Sequence, residues 1–291
     1  MAEPHRARKR FGQHFLHDPA VLARLVAAIR PRPGERLVEI GPGLGALTRP
    51  LLQATGRLDV VELDRDVVPH LREACADLDG LHVHLGDALR FDYCALADAE
   101  ANAVETPDAA PLLRVVGNLP YNISTPLLFH LIEQAHCIRD MHFMLQKEVV
   151  DRIVAGAGDD AYGRLGIMVQ FHCAAERLFT IRPGAFNPPP KVDSAVVRLV
   201  PHRRPPVTVK DFACFSQIVT QAFSQRRKTL RNALKGLLDA EAITAADIDP
   251  GLRPERIDLA GFARLADALA ERLPDRGVIP DSRRRAGSDE R

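Results

Sequence analysis

The chain has 291 residues, 46% of them hydrophobic, enough to bury one large core and a smaller one. Its net charge is only +1, but charge is segregated: residues 1–36 carry eight Arg/Lys against three acids, residues 203–235 eight against one, and residues 59–108 three against thirteen. No apolar run reaches the roughly 18 residues of a helix that spans a bilayer, and the basic N-terminus is followed by no apolar stretch, so neither a membrane-spanning helix nor a secretory signal is expected and the cytoplasm is the expected location. The five cysteines, Cys75, Cys94, Cys137, Cys173 and Cys214, are scattered without a C-x-x-C pair. That spacing argues against a disulfide framework and a cysteine zinc site.

In chain order, Asp18-Pro19 predicts a helix start, with Val21, Leu22, Leu25, Val26 and Ile29 on one face and Pro31 and Pro33 as the stop. Short apolar strands then alternate with helices: strands at 37–40, 58–63, 81–85 and 112–117, a helix from about Val67, and a helix after residue 121 for which Ser124 is a candidate cap. A strand near 141–145, a helix over 146–155 and strands around 177–182 and 192–200 complete a sheet. Such alternation predicts βαβ units and a parallel sheet. Residues 97–111 read as a surface insertion, the segment HRRPPVT after Pro201 as a linker, and the chain beyond it as purely helical. The predicted organisation is a domain over 1–202, a small α-helical domain over 203–274 and a polar, Arg-rich tail over 275–291.

Gly41-Pro42-Gly43-Leu44-Gly45 directly follows the first strand of the alternation, where glycines let a ligand approach the backbone. Glu62, about 20 residues on, ends the next strand, where an acid can accept both hydroxyls of a ribose. These features suit either a nicotinamide cofactor or S-adenosylmethionine. Asp87 ends a third strand, as a candidate acceptor for an adenine amine or as a turn cap. Asn118-Leu119-Pro120-Tyr121 ends the fourth. An amide, a proline and an aromatic there suit methylation of a planar exocyclic amine, whose delocalised lone pair makes it a poor nucleophile. The Asn118 oxygen and a carbonyl of Leu119 or Pro120 can accept its N–H groups while Tyr121 stacks on the base. The same four residues also make an ordinary turn. The basic segments at the two ends suit a polyanion, with solvated charge as the plain alternative. The histidines are dispersed, and His82-Val83-His84 lacks a third ligand, so no metal is expected.

Taken together, Phe11-Gly12-Gln13-His14-Phe15-Leu16, Glu39-Ile40-Gly41-Pro42-Gly43, Glu62-Leu63-Asp64, Gly86-Asp87-Ala88, Asn118 through Ser124, Pro188 through Ser194 and Gln225-Arg226-Arg227-Lys228 resemble the bacterial small-subunit (16S) ribosomal RNA adenine N6,N6-dimethyltransferases. The resemblance spans about residues 6–270. It implies a Rossmann-like S-adenosylmethionine (SAM)-dependent methyltransferase sheet with a small C-terminal α-helical domain. The implied reaction is dimethylation of N6 of two adjacent adenines in the 3'-terminal hairpin loop of 16S rRNA, within the immature small subunit. On this resemblance His14, Leu16, Gly41, Glu62, Asp87 and Asn118 contact SAM. Asn118, Leu119, Pro120 and Tyr121 form the catalytic tetrad, and Phe186 matches an aromatic that sandwiches the target base, its alternative being core packing. Arg226, Arg227, Lys228 and Arg231, and the basic Arg6, Arg8, Lys9 and Arg10, are candidate phosphate contacts. The chain departs from the family at His14, where Asn is usual. A monomer is expected. The competing readings are a nicotinamide-dependent reductase, a non-catalytic ribosome assembly factor of the same fold, and a large-subunit rRNA methylase.

Overall fold

The computed structural model describes residues 13–101, 113–225 and 227–273; Arg6, Arg8, Lys9, Arg10 and Arg226, most of the insertion at 97–111 and the tail at 275–291 lie outside them. The chain divides into two compact units, Met1–Pro206 and Val207–Arg291.

In the first unit, helix α1 (Pro19–Ile29) starts as its sequence dictates. The Asp18 carboxylate accepts from the backbone N–H of Ala20 and Val21, and Pro19 sits where no N–H is needed. Strand β2 (Arg36–Ile40), helix α2 (Thr48–Thr55), β3 (Leu58–Glu62), α3 (Val68–Ala74), β4 (Leu81–Leu85), α4 (Tyr93–Ala101), β5 (Leu113–Asn118), α5 (Ser124–Glu133) and β6 (Ile138–Gln146) follow as parallel βαβ units. Helices α6 (Lys147–Val154) and α7 (Arg164–His172) precede β7 (Cys173–Ile181). The antiparallel β9 (Ser194–Pro201) inserts between β6 and β7, giving the order β4-β3-β2-β5-β6-β9-β7.

Both faces of the centre of this sheet are covered, which is why β3 and β5 are buried on successive residues rather than on alternate ones, whereas the edge strand β4 (LHVHL) alternates apolar with polar residues. Val38, Ile40, Val61 and Val115 pack with Leu127, Leu128 and Val150 on one side. Leu37, Val60 and Val116 pack with Leu25, Ile29, Leu51 and Leu71 on the other. A separate two-stranded ribbon pairs β1 (Phe15–Leu16) with β8 (Phe186–Asn187) antiparallel and draws the N-terminal segment to the loop before β9.

The second unit is helical: α8 (Phe212–Ala222), α9 (Leu230–Ala233), α10 (Ala240–Ala245) and α11 (Leu259–Arg272), packed around Phe215, Ile218, Leu234, Phe262 and Leu265. Among the described residues no helix is long and apolar enough to cross a membrane.

Several expectations are corrected. Cys94 and Cys137, 43 residues apart, are joined by a disulfide, because α4 and the turn after α5 bring their Cα atoms to 5.5 Å; sequence spacing carries no trace of this. Ser124 does not cap α5. The cap position is Ile123, while the Ser124 hydroxyl donates to the Tyr121 carbonyl. Residues 97–101, the start of the segment read as a surface insertion, belong to α4.

Candidate active site

The order of strands reverses beside β2: β3 and β4 continue on one side, β5 and β6 on the other. Ligands of open α/β sheets bind at the carboxyl ends of the strands at such a point. A cleft of ≈ 840 Å³ opens there. Its walls include His14, Leu16, Gly41, Glu62, Asp87, Asn118, Leu119, Pro120 and Tyr121, so residues spread over more than a hundred positions of sequence converge on one place.

Two glycines make the approach possible. Gly41 has φ +68°, a left-handed conformation that side chains resist, and a Cβ there would lie 3.8 Å from the Asn118 carbonyl oxygen. Gly117 is required by close strand pairing, since a Cβ would stand 2.5 Å from the Ile40 carbonyl. It therefore fixes how closely β5 lies on β2, and with it the height of Asn118.

The tetrad is held from three directions. Leu119 donates its N–H to the Met144 carbonyl on β6 (3.2 Å), and its side chain is buried in the core. The Pro120 carbonyl accepts from Ile123 N–H (3.2 Å). The turn thus engages one lone pair of the Pro120 carbonyl, whereas the Leu119 carbonyl accepts no hydrogen bond among the described residues. The Asn118 amide donates through Nδ2 to the backbone carbonyl of His14 (2.9 Å), and its Oδ1 accepts nothing among the described residues. Tyr121 is tied through its hydroxyl to Ser194 Oγ (2.8 Å), and burial raises its pKa.

His14 occupies a position its sequence context does not disclose. Its Nδ1 donates to the Pro188 carbonyl (2.7 Å), and its ring stacks on Tyr121 at 5.7 Å and 29°. Phe186 is 2% exposed, packs in the core with Leu16 and does not line the cleft; its neighbours Asn187 and Pro188 do.

The electrostatics are acidic. Glu62 accepts from Asp64 N–H (2.8 Å), and its pKa is raised, by burial first, with the Asp64 charge adding. Asp87 spends one oxygen on the Leu89 N–H (3.0 Å), so it is both a turn cap and a wall of the cleft. Glu39, near the end of β2, is a wall that sequence reasoning does not single out. It is 2% exposed, and burial, with Glu62 adding, pushes its pKa up to about 7; the nearby Thr48 hydroxyl offsets this only partly. By hydrogen-bond geometry neither Glu39 Oε2 nor Thr48 Oγ1 has a partner among the described residues. An acid near the end of an otherwise apolar buried strand is the signal that could have identified Glu39.

A ligand with a ribose, an adenine and net positive charge fits these walls, since each acid can meet a hydroxyl, an amine or a cationic centre. S-adenosylmethionine has all three. A dinucleotide would bring a pyrophosphate to a cleft lined by Glu39, Glu62 and Asp87, where its charge is repelled.

In the second unit, Arg227 and Lys228 follow α8, and Arg231 lies in α9. All three are exposed, as is Lys235, and none has a carboxylate partner among the described residues.

The ribosomal RNA adenine dimethylase family model matches residues 4–271. The chain is 58% identical over 267 residues to the ribosomal RNA small subunit methyltransferase A of Pseudomonas putida, covering 92% of this chain and 96% of that protein. It is 57% identical over 267 residues to that of Pseudomonas aeruginosa, with the same coverage. Among solved structures it is similar to a dimethyladenosine transferase from Plasmodium falciparum, at 26% identity and TM-score 0.71, covering 87% of this chain and 96% of that one. The 23S rRNA methyltransferase ErmE, at 23% identity, TM-score 0.65 and 88% and 99% coverage, shares the fold. The chain belongs to the ribosomal RNA adenine dimethylase family and is an S-adenosylmethionine-dependent enzyme that methylates ribosomal RNA adenines.

Proposed function

We propose that this enzyme dimethylates N6 of two adjacent adenines in the 3'-terminal hairpin loop of 16S rRNA, within the immature small subunit, acting as a cytoplasmic monomer. The relatives' name supports the small subunit as substrate. The observation that carries the chemistry is the hydrogen-bonding state of Asn118 and Leu119.

Bound at the cleft, S-adenosylmethionine supplies a methyl group on an electrophilic sulfonium. Glu62 holds the ribose hydroxyls, Asp87 the adenine amine through its remaining oxygen, and Gly41 leaves room beneath them. His14 and Leu16 close the cleft from the N-terminal segment. Asn118 Oδ1 and the Leu119 carbonyl accept the two N–H hydrogens of the target amine, which aims the nitrogen lone pair across the cleft. Placement to about 3–3.5 Å in line supplies most of the acceleration, so no strong base is needed at the tetrad. After one methyl is in place a single N–H remains, and one of the two acceptors suffices to orient it. Tyr121 stacks on the base, and a loop adenine is cheap to extrude. Phe186, as packed here, supports the ribbon under the cleft; a sandwich of the base would require it to leave the core. Arg227, Lys228 and Arg231, with Arg226, bind phosphate and carry no base specificity.

Incubation with labelled SAM and, separately, undermethylated small subunits, large subunits and naked 16S rRNA tests the assignment. Four methyl groups per small subunit, at two adjacent adenines, are expected. Preferential labelling of large subunits would replace this substrate.

A further inference from the structure

Outside the cleft, three metal-ligating side chains converge at one place. Cys94 lies at the start of α4; His136 and Cys137 lie in the 3-10 turn Ala135–Cys137 after α5. Their ligand atoms all lie within 4.8 Å of one another, and Cys94 Sγ is 3.4 Å from His136 Nε2. In a tetrahedral zinc site with Zn–S about 2.3 Å and Zn–N about 2.0 Å, sulfur and nitrogen ligands stand roughly 3.5 Å apart. The Cys94–His136 pair already has that spacing.

The backbone around these residues is fixed by groups other than the disulfide. Gln134 Oε1 accepts from Tyr93 N–H (2.7 Å) and Cys94 N–H (3.3 Å), and its Nε2 donates to the Phe91 carbonyl (3.1 Å). Opening the S–S bond therefore leaves the two segments facing each other. Cys137 is buried, Cys94 half-buried and His136 exposed, so the cluster is closed from within and open to solvent on one side. Two thiolates and an imidazole select a thiophilic ion over magnesium or calcium.

We propose that Cys94, His136 and Cys137 form a site for a thiophilic divalent cation of the zinc class, available when the Cys94–Cys137 bond is reduced. A dithiol reductant delivers two electrons and two protons to the S–S bond, leaving two thiols and becoming a disulfide itself. The cation then displaces both thiol protons to solvent, forms two metal–sulfur bonds and one metal–nitrogen bond, and takes a water as fourth ligand on the exposed side. The ion thus replaces one cross-link between α4 and the turn after α5 with another. None of the three residues lines the cofactor cleft, so the site stands or falls independently of the methyl-transfer assignment.

The test uses the full chain, metal-stripped and reduced with a phosphine. It is titrated with zinc against a chromophoric chelator, and with cadmium followed by the thiolate-to-metal absorption band. One equivalent is expected, with about two protons released per ion at a pH where the thiols are protonated. Cys94→Ser and Cys137→Ser should each weaken binding roughly a hundredfold or more, and His136→Ala at least about tenfold. The wild-type protein in its disulfide form should take up none, a comparison that needs no variant to fold. Failure of the reduced wild type to bind one equivalent would overturn the proposal. Equal affinity in the Cys94→Ser/Cys137→Ser double variant would also do so, since uptake would then belong to Cys75, Cys173, Cys214 or histidines elsewhere.

Discussion

The Asn118 side chain donates through Nδ2 to the backbone carbonyl of His14, 104 residues earlier, at 2.9 Å. That bond uses the donor end of the amide and leaves the acceptor end for the substrate. A carboxamide held this way presents Oδ1 to an amine N–H, and turning Nδ2 toward the substrate instead would break the bond to His14. Asn118→Ala should therefore keep SAM affinity within several-fold while turnover falls by about 10²–10³, the scale of losing one positioned polar group in a transition state. Calorimetry and single-turnover methyl incorporation measure the two effects. A wild-type rate in the variant would remove Asn118 from the chemistry.

Because the contact to Asn118 is made by the His14 carbonyl, it does not depend on the identity of that side chain. His14→Asn, which restores the family's usual residue, should leave SAM affinity within about twofold, a change below about 0.5 kcal/mol. The imidazole does stack on Tyr121, so any effect should fall on the apparent KM for the ribosomal substrate, where base and imidazole share one ring. A tenfold loss of SAM affinity would mean that the side chain itself holds the cofactor.

Much of this site is legible in the sequence because each wall comes from the end of a strand. The apolar runs at 58–63 and 81–85 locate β3 and β4 almost to the residue, and the chemistry follows where the apolar run stops, at Glu62 and Asp87. What stays hidden depends on through-space approach. The β1–β8 ribbon pairs two strands of two residues each, too short for periodicity to register, and it delivers His14 to Tyr121 and Pro188. Cys94 and Cys137 meet for the same reason. In the second unit, the apolar pattern over 227–238 reads as helical throughout, whereas α9 spans only four residues and Gly236, three residues past its end, has φ +93°. A residue at that φ ends a helix whatever its neighbours favour.

Glu39 makes the free enzyme sensitive to pH near neutrality. Burial raises its pKa from 4.5 to about 7, so the folded protein binds a proton that the unfolded chain has released across that window. Stability must then fall as pH rises from about 4.5 to about 7, by at most about 3 kcal/mol, and stay low above it. Glu39→Gln should match the wild type in melting temperature near pH 5 and exceed it at pH 8.5. A cationic ligand favours the ionised carboxylate, so wild-type SAM affinity should increase through pH 7, and the variant should lose that increase. Superimposable pH profiles for the two proteins would dismiss the buried charge.

Arg227, Lys228 and Arg231 are exposed cations without carboxylate partners among the described residues, so reversing them should cost little stability. Replacing all three with glutamate should weaken small-subunit binding and flatten the dependence of log affinity on log salt, by about 0.7–0.9 for each phosphate no longer neutralised. An unchanged slope in a filter-binding salt series would assign phosphate recognition to other residues.

At the opposite, amino-terminal ends of the strands, Arg114 is buried between Asp140 (2.9 Å) and Glu35 (2.7 Å) and donates to the Ile29 carbonyl (2.6 Å) at the end of α1. Burial alone would raise the pKa of both acids. For Glu35 the Arg114 hydrogen bond and charge reverse this; for Asp140, His142 and Arg114 do so together, and both acids end below their ordinary values. Their contribution to stability is present at neutral pH and is lost as pH falls below about 4.5 through the lowered folded values. Arg114→Met should cost about 3–5 kcal/mol at pH 7.5, because it leaves the buried Asp140 without its guanidinium and Glu35 with only the half-exposed Arg139. It should also change the acid response. With the guanidinium gone, burial of Asp140 and Glu35 is opposed only by His142, Arg139 and the Arg32 backbone, so between pH 7.5 and pH 5 the variant should gain more stability than the wild type, whose own gain comes from Glu39. Arg139, half exposed on the outer oxygen of Glu35, should cost no more than about 1 kcal/mol when replaced by alanine. Urea unfolding of the three proteins at both pH values separates these outcomes, and an Arg114→Met variant that gains no more stability than the wild type between pH 7.5 and pH 5 would show that the cluster is held by something other than the guanidinium.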